Sequence, residues 1–193
     1  MSPSCPFCQK KILTQKFICS NCLSNFTNQA PRQKLGVYSL YKYEKALRQT
    51  IVAAKIKNER RSLNSLLILM EENKLSQKLA SEVDLIMPAP SSLWSRARGR
   101  FDLAWFLSNS LSKKYHKPIG SPPLKLAWRL KKQAQKKRLQ SSFNSSSFTK
   151  QKSNKSSLLL IDDVVTTGFT LNRVCLELEA MYNIKLLTLA YSR

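Results

Sequence analysis

The sequence predicts an α/β protein, a parallel sheet flanked by helices with a small cysteine-rich appendage at its N-terminus. Three observations predict it. Leu158-Leu159-Leu160-Ile161 is an uninterrupted aliphatic run with Val164 and Val165 close behind, and it reads as a central strand covered on both faces. Val83-Asp84-Leu85-Ile86-Met87 is a second apolar strand, ended by Pro88-Ala89-Pro90 because proline cannot donate to a ladder. Around these strands, apolar residues recur at spacings of three and four, the period of helices that cover a sheet. A chain of 193 residues has room for one such domain plus an appendage, and its 42% hydrophobic content is enough for a core.

The appendage comes first and spans residues 1–32. Cys5-Pro-Phe-Cys8 and Cys19-Ser-Asn-Cys22 are two C-x-x-C knuckles, with Phe17 and Ile18 expected to supply a short strand between them. Cys5, Cys8, Cys19 and Cys22 at this spacing suit a structural Zn²⁺ held tetrahedrally by four thiolates. So short a segment cannot bury a sufficient core, so the metal would supply most of its folding free energy. Two disulfides are the alternative, disfavoured in a reducing compartment. A redox pair is weaker still, because no strand-helix unit surrounds either knuckle.

Residues 33–193 form the larger domain, entered through a linker over Asn28 to Arg32. From Tyr38 onward the pattern turns helical, with Tyr43, Leu47, Ile51 and Ala54 on one face and Lys42, Arg48, Lys55 and Lys57 elsewhere. Asn58-Glu59-Arg60-Arg61 breaks it, and a second helix follows with Leu63, Leu66, Leu67 and Met70. These stripes read as core.

After the Val83–Met87 strand and its prolines come Ser91, Ser92 and the arginines Arg96, Arg98 and Arg100. A loop at the carboxyl end of a strand, carrying hydroxyls and guanidinium forks, is placed to hold pyrophosphate through Ser91, Ser92, Arg98 and Arg100. The plainer alternative is a surface loop with solvated arginines. A helix follows with Phe101, Ala104, Leu107, Leu111 and Tyr115 on its apolar face. His116 is the only histidine and reads as a surface residue. One more strand is expected around Leu124–Trp128.

Residues 129–157 differ in character. Basic residues, among them Lys131, Lys132, Lys136, Lys137 and Arg138, alternate with Gln, Ser and Asn, and this composition predicts a mobile basic loop. It precedes the central strand, so it would cover a site there or act as a basic arm. Trp128, Phe143 and Phe148 interleave with the charges, a pattern suited to stacking on single-stranded bases, although aromatics also anchor loops.

The central strand then runs into Asp162-Asp163, the turn Thr166-Thr167-Gly168-Phe169-Thr170, and a helix with Leu171, Val174, Cys175, Leu178 and Met181 on one face. Strand, acidic pair, hydroxyl-rich turn and helix form a site for a phosphorylated sugar. Amides at a helix N-terminus, with threonine hydroxyls, can surround a phosphate. Adjacent carboxylates can accept from two vicinal hydroxyls or hold Mg²⁺ against them. The alternative is a capped turn in which Asp163 and Thr166 serve only the helix start. A second Asp beside a buried strand is more than capping needs. Ile184 to Tyr191 closes the chain as an apolar strand. With Cys175 on an apolar helix face and the other cysteines claimed by metal, Cys/His nucleophilic catalysis has no support.

Net charge is +22, from 33 basic and 11 acidic residues. The excess is uneven: between Asp102 and Asp162 the chain holds thirteen Lys or Arg and no acidic residue. A field of that sign attracts phosphates, nucleic acid or an anionic membrane surface. No apolar run reaches the roughly 18–20 residues of a membrane span, and the N-terminus lacks the apolar core of a secretory signal. The expected location is cytoplasmic, with peripheral contact at the inner face of the membrane left open.

The run Leu158–Thr170 resembles the phosphoribosyl-pyrophosphate (PRPP) motif of type I phosphoribosyltransferases. The resemblance implies that family's fold, with the acidic pair Asp162 and Asp163 on the ribose 2′- and 3′-hydroxyls. It gives Thr166, Thr167, Gly168, Phe169 and Thr170 to the loop around the 5′-phosphate, PRPP binding with Mg²⁺. Phe169 stands where the family carries a small residue. A four-cysteine knuckle before this motif is similar to the ComF family of competence proteins. That likeness spans nearly the whole chain: Tyr41-Lys42-Tyr43 with Leu47, the Pro88-Ala89-Pro90 strand end, Arg98-Gly99-Arg100-Phe101-Asp102 in place of the family's Arg-Gly-Phe-Asn, and the acidic-pair strand. It implies a role in natural transformation, with single-stranded DNA as partner through Lys131, Lys132, Lys136, Lys137 and Arg138, and with a competence helicase or recombination proteins as further partners. Three functions follow as expectations: assistance to DNA uptake or cytosolic handling by a PRPP-binding protein, phosphoribosyl transfer to a small acceptor, or PRPP-sensing regulation. The first is carried forward, because no general base stands out for transfer and no helix-turn-helix signature is present.

Overall fold

The computed structural model describes residues 3–12, 17–34, 36–90, 101–122 and 155–192. Its centre is a five-stranded mixed sheet in the order β1-β2-β5-β4-β3. The strands are β1 (Arg32–Lys34), β2 (Val37–Lys42), β3 (Leu85–Pro88), β4 (Ser156–Val165) and β5 (Tyr182–Tyr191). Only β1 runs antiparallel, against β2; the β2–β5, β5–β4 and β4–β3 pairs are parallel. The helices are α1 (Ser20–Thr27), α2 (Lys45–Lys57), α3 (Arg60–Glu72), α4 (Lys74–Ser81), α5 (Leu103–Lys114) and α6 (Phe169–Leu178).

The aliphatic run makes β4 the centre of the core. Leu158, Leu159, Leu160 and Ile161 are each fully buried, and they alternate between two clusters. Leu159 and Ile161 pack with Leu47, Ile51, Leu66 and Leu107 of α2, α3 and α5. Leu158 and Leu160 pack with Leu171, Val174 and Leu178 of α6. A strand with period-two side chains and apolar residues at every position must be covered on both faces, and it is. Each buried Leu contributes about 1.5–3 kcal/mol.

Three local expectations are corrected. Val37–Lys42 is a strand, although the helical pattern was expected to begin at Tyr38. Val, Tyr and Leu favour a pleated surface, and the segment is held between β1 and β5, which overrides a helical spacing of its tyrosines. Tyr41 is buried there, and its hydroxyl donates to the Leu69 carbonyl at 2.9 Å. Phe17 and Ile18 form a bend, and the second knuckle leads into α1 instead. The linker over Asn28 to Arg32 already enters β1 at Arg32. The break after α2 is real, because Asn58 ends it in the left-handed region at φ 50°, a conformation that Asn tolerates, and α3 resumes at Arg60.

The connections position the site. The segment after β3 returns as α5, which packs on α3 and on the α2–α3 side of the sheet. The segment after β4 enters α6 on the opposite side. Neighbouring strands that send their chains to opposite faces leave a crevice at their carboxyl ends, where open α/β sheets bind ligands. Here that switch in direction falls between β3 and β4, at the strand end that carries Asp162. Pro88 is the last residue of β3, and Ala89 still donates to the Ile161 carbonyl at 2.7 Å, so the two strand ends are fastened together.

The finger is packed into the same body. Cys5, Ile12, Ile18 and Cys22 belong to the apolar cluster that contains α2, α3 and β2 residues. Ser65 of α3 donates to the Phe17 carbonyl at 2.6 Å. Among the described residues no helix is long and apolar enough to cross a membrane.

Candidate functional site

Two places bring chemistry-bearing residues together. The first is the finger. The Sγ atoms of Cys5, Cys8, Cys19 and Cys22 all lie within 4.8 Å of one another, with Cys8 and Cys19 at 3.7 Å. Tetrahedral Zn–S bonds of about 2.3 Å set their sulfurs about 3.8 Å apart, so the donor set fits a metal ion, whereas a disulfide needs about 2.05 Å. Gln9, at φ 62°, turns the first knuckle, and the Cys5 amide closes it on the Lys10 carbonyl at 2.9 Å. The second knuckle is set by α1, whose N-cap is Cys19: its sulfur accepts from the Cys22 amide at 3.4 Å. Burial and the neighbouring sulfurs of Cys19 and Cys8 push the Cys22 thiol up, a crowding that a bound cation relieves.

The second place is the carboxyl end of β4. Asp162 and Val164 to Leu171 line an open recess of about 50 Å³. The recess therefore takes in Thr166, Thr167, Gly168, Phe169 and Thr170, all the residues that the sequence proposed for a phosphate loop. Gly168 is the N-cap of α6 at φ 73°, a left-handed conformation that a residue without Cβ adopts without strain. It has no side chain to cap the helix, and apart from the Phe169 amide, which donates to the Thr167 hydroxyl at 3.4 Å, the first turn can offer its amides to an anion. The capping alternative for Asp163 and Thr166 is not what forms here: the side chain that meets the α6 start is Thr167, whose hydroxyl accepts from the Phe169 amide at 3.4 Å.

The acidic pair is divided between the faces of the sheet. Asp162 lines the recess on the α6 side, and its carboxylate accepts from the Asp163 amide at 2.8 Å. Asp163 is buried on the α2 side, where Lys55 Nζ donates to its Oδ2 at 2.7 Å. Burial and the Asp163 charge push the Asp162 carboxyl up to about 7, aided by Asp102 and opposed by Lys55. Asp102 caps α5 by accepting from the Trp105 amide at 3.0 Å.

Lys55 is the residue that sequence reasoning missed. The sequence pattern places it off the apolar face of its helix and no further, and a lysine on a helix gives no signal of a partner so distant in the chain. Cys175 is buried with its thiol pushed up to about 12 by burial, in line with an inert core residue. His116 is exposed, as expected. Ser91, Ser92, Arg98 and Arg100, the strand at Leu124–Trp128, the aromatics Phe143 and Phe148, and Lys131, Lys132, Lys136, Lys137 and Arg138 lie outside the described residues. No protein-family model matches the sequence, and no curated protein matches it. What the fold itself defines is an α/β protein with a mixed five-stranded sheet and an N-terminal cysteine cluster able to hold a metal.

Proposed function

We propose that this chain is a ribose phosphate-binding protein of the type I phosphoribosyltransferase kind, which takes PRPP with Mg²⁺ and works on single-stranded DNA during natural transformation, as the ComF resemblance suggests. The observation that carries the reading is Asp162 and the Thr166–Thr170 loop lining one recess at the carboxyl end of the central strand. In this reading the α6 amides and threonine hydroxyls hold the 5′-phosphate. Asp162, the member of the pair that reaches the recess, accepts from the ribose hydroxyls, and Asp163 on the α2 side supports it through its amide, which donates to the Asp162 carboxylate at 2.8 Å. The carboxylate oxygens are hard donors that suit Mg²⁺, which would neutralise charge on the pyrophosphate. Ser91, Ser92, Arg98 and Arg100 are proposed to grip that pyrophosphate. Zn²⁺ in the finger would be structural.

The DNA part rests on the acid-free basic stretch between Asp102 and Asp162 and on the aromatics within it. The cytoplasm and its competence helicase or recombination proteins are the setting and partners that this role calls for. Incubation with PRPP and Mg²⁺, over a panel of bases and single-stranded DNA, tests it while pyrophosphate is followed. PRPP binding without release fits a ligand role. Release with one small acceptor makes the protein a transferase. Absence of PRPP binding contradicts both.

A further inference from the structure

Lys55 lies in the last turn of α2, and its ammonium stands 2.7 Å from Asp163 Oδ2 at the end of β4. The Lys55 side chain is 34% exposed and that of Asp163 12%, so solvent screens the pair only in part. Among the described residues, the charged and titratable groups acting on this ammonium are Asp163, Asp162 and Tyr43, and Asp102 lies in the field of Asp162 alone. Two carboxylates, Asp163 in contact and Asp162 beside it, thus act on one cation at the carboxyl edge of the sheet. Burial alone would lower the Lys55 pKa, but Asp163 and then Asp162 outweigh it and the pKa rises. The lysine's own backbone is also fastened, because its carbonyl accepts from the Phe101 amide at 3.0 Å, one residue before Asp102. The end of α2, the start of α5 and the acidic pair are therefore held as one unit.

We infer that Lys55 is a positioning residue for the acidic pair: it fixes the Asp163 carboxylate on the α2 side of β4 and offsets its repulsion with Asp162, so that Asp162, which accepts from the Asp163 amide, is set toward the recess before ligand arrives. The inference deepens the ribose phosphate reading and rests on it for the identity of the ligand. Without the ammonium, like charges this close favour either protonation or splaying of the pair, and either one displaces the Asp162 acceptor that a ribose hydroxyl needs. Arginine at the same position can also hold a carboxylate, whereas methionine keeps the aliphatic stem and loses the charge.

The test uses the full chain with Lys55→Met, Lys55→Arg, Asp163→Asn and the Lys55→Met/Asp163→Asn double variant. In urea unfolding, each single charge removal should lower the folding equilibrium constant about tenfold, and the double variant should lie about tenfold above the product of the two losses. Simple additivity would overturn the inference. In calorimetry with PRPP and Mg²⁺, at a temperature where all variants are folded, Lys55→Met should bind about tenfold more weakly and Lys55→Arg should recover most of the loss. Lowered stability with unchanged PRPP affinity in Lys55→Met would make the pair merely structural and overturn the positioning role. Wild-type protein without PRPP affinity would strike the ribose phosphate reading, and the unfolding cycle then decides alone whether Lys55 and Asp163 act as a unit.

Discussion

Phe26 of α1 stands edge-on against Tyr41 of β2, ring centroids 5.3 Å apart, and Phe7 of the first knuckle packs in the same way on Phe26 at 4.9 Å. A chain of aromatic contacts therefore runs from the metal-binding knuckles to a buried strand of the sheet. Edge-to-face pairs of this kind contribute about 0.5–1.5 kcal/mol beyond the area they bury. The finger is part of the core it adjoins.

Metal removal should consequently be felt by the whole fold. Protein purified without chelator should carry one Zn²⁺ per chain by elemental analysis. Cys5→Ser should lose the metal and lower the melting temperature of the sheet domain by several degrees, read by near-ultraviolet circular dichroism at Tyr41 and its neighbours. Zinc-free wild type with an unchanged melting curve would refute this.

The Asp162 carboxyl, pushed up to about 7 from an ordinary value of 3.8, gives stability a defined pH dependence. A raised carboxyl pKa means that the folded state binds more protons than the unfolded state between those two values. Stability therefore falls as pH rises from about 4 to about 7, and levels off above. The size is on the order of 1 kcal/mol once solvent screening at this partly exposed position is allowed for. Asp162→Asn should flatten the profile and be the more stable form at pH 8. A wild-type profile parallel to that of the variant across this window would contradict the assignment.

Gly168→Ala isolates the phosphate loop. A Cβ at φ 73° costs about 1 kcal/mol in the left-handed region. The expected result is a modest loss of stability together with a larger loss of affinity for inorganic phosphate or PRPP, as the α6 amides turn away. Affinity that falls no more than stability would separate the loop from ligand binding.

The basic stretch yields a salt-dependent prediction. Anisotropy titrations should show single-stranded DNA preferred over duplex, with a logarithmic salt slope of about 0.7 per phosphate contact. Lys131, Lys132, Lys136 and Lys137 changed together to Glu should abolish binding and leave the zinc content intact. A flat salt response would reduce the charge to a solvated surface.

What the sequence made legible follows from where its signals are local. The Leu158–Ile161 run and the Asp162–Thr170 succession each lie within one element and its turn, and the structure has strand, turn and helix there, whereas the strand expected over Val83–Met87 runs from Leu85 to Pro88. The two C-x-x-C knuckles were legible for the same reason. The strand at Val37–Lys42 was not, because Tyr38 and Tyr41, three residues apart, suit a helix, and burial at the consecutive Ser39, Leu40 and Tyr41 leaves no period-two alternation to read. Only its neighbours β1 and β5 decide for a strand. Helix α4 was missed because its break from α3 is a single residue, Asn73, whose side chain accepts from the Leu75 and Ser76 amides to start the new helix. Lys55 was hidden for a different reason: its partner Asp163 is reached only through the packing of α2 on the sheet.

The central claim is that Asp162 and the loop it faces bind PRPP, and isothermal calorimetry with PRPP and Mg²⁺ on wild type and Asp162→Asn tests it most directly. The substitution keeps shape and removes the carboxylate, and the raised Asp162 pKa predicts that the fold tolerates it. Wild type should bind, and Asp162→Asn should bind more weakly by about 1–3 kcal/mol, the scale of a lost charge-assisted hydrogen bond. Equal affinity in the two proteins, or no heat from either, would contradict the claim.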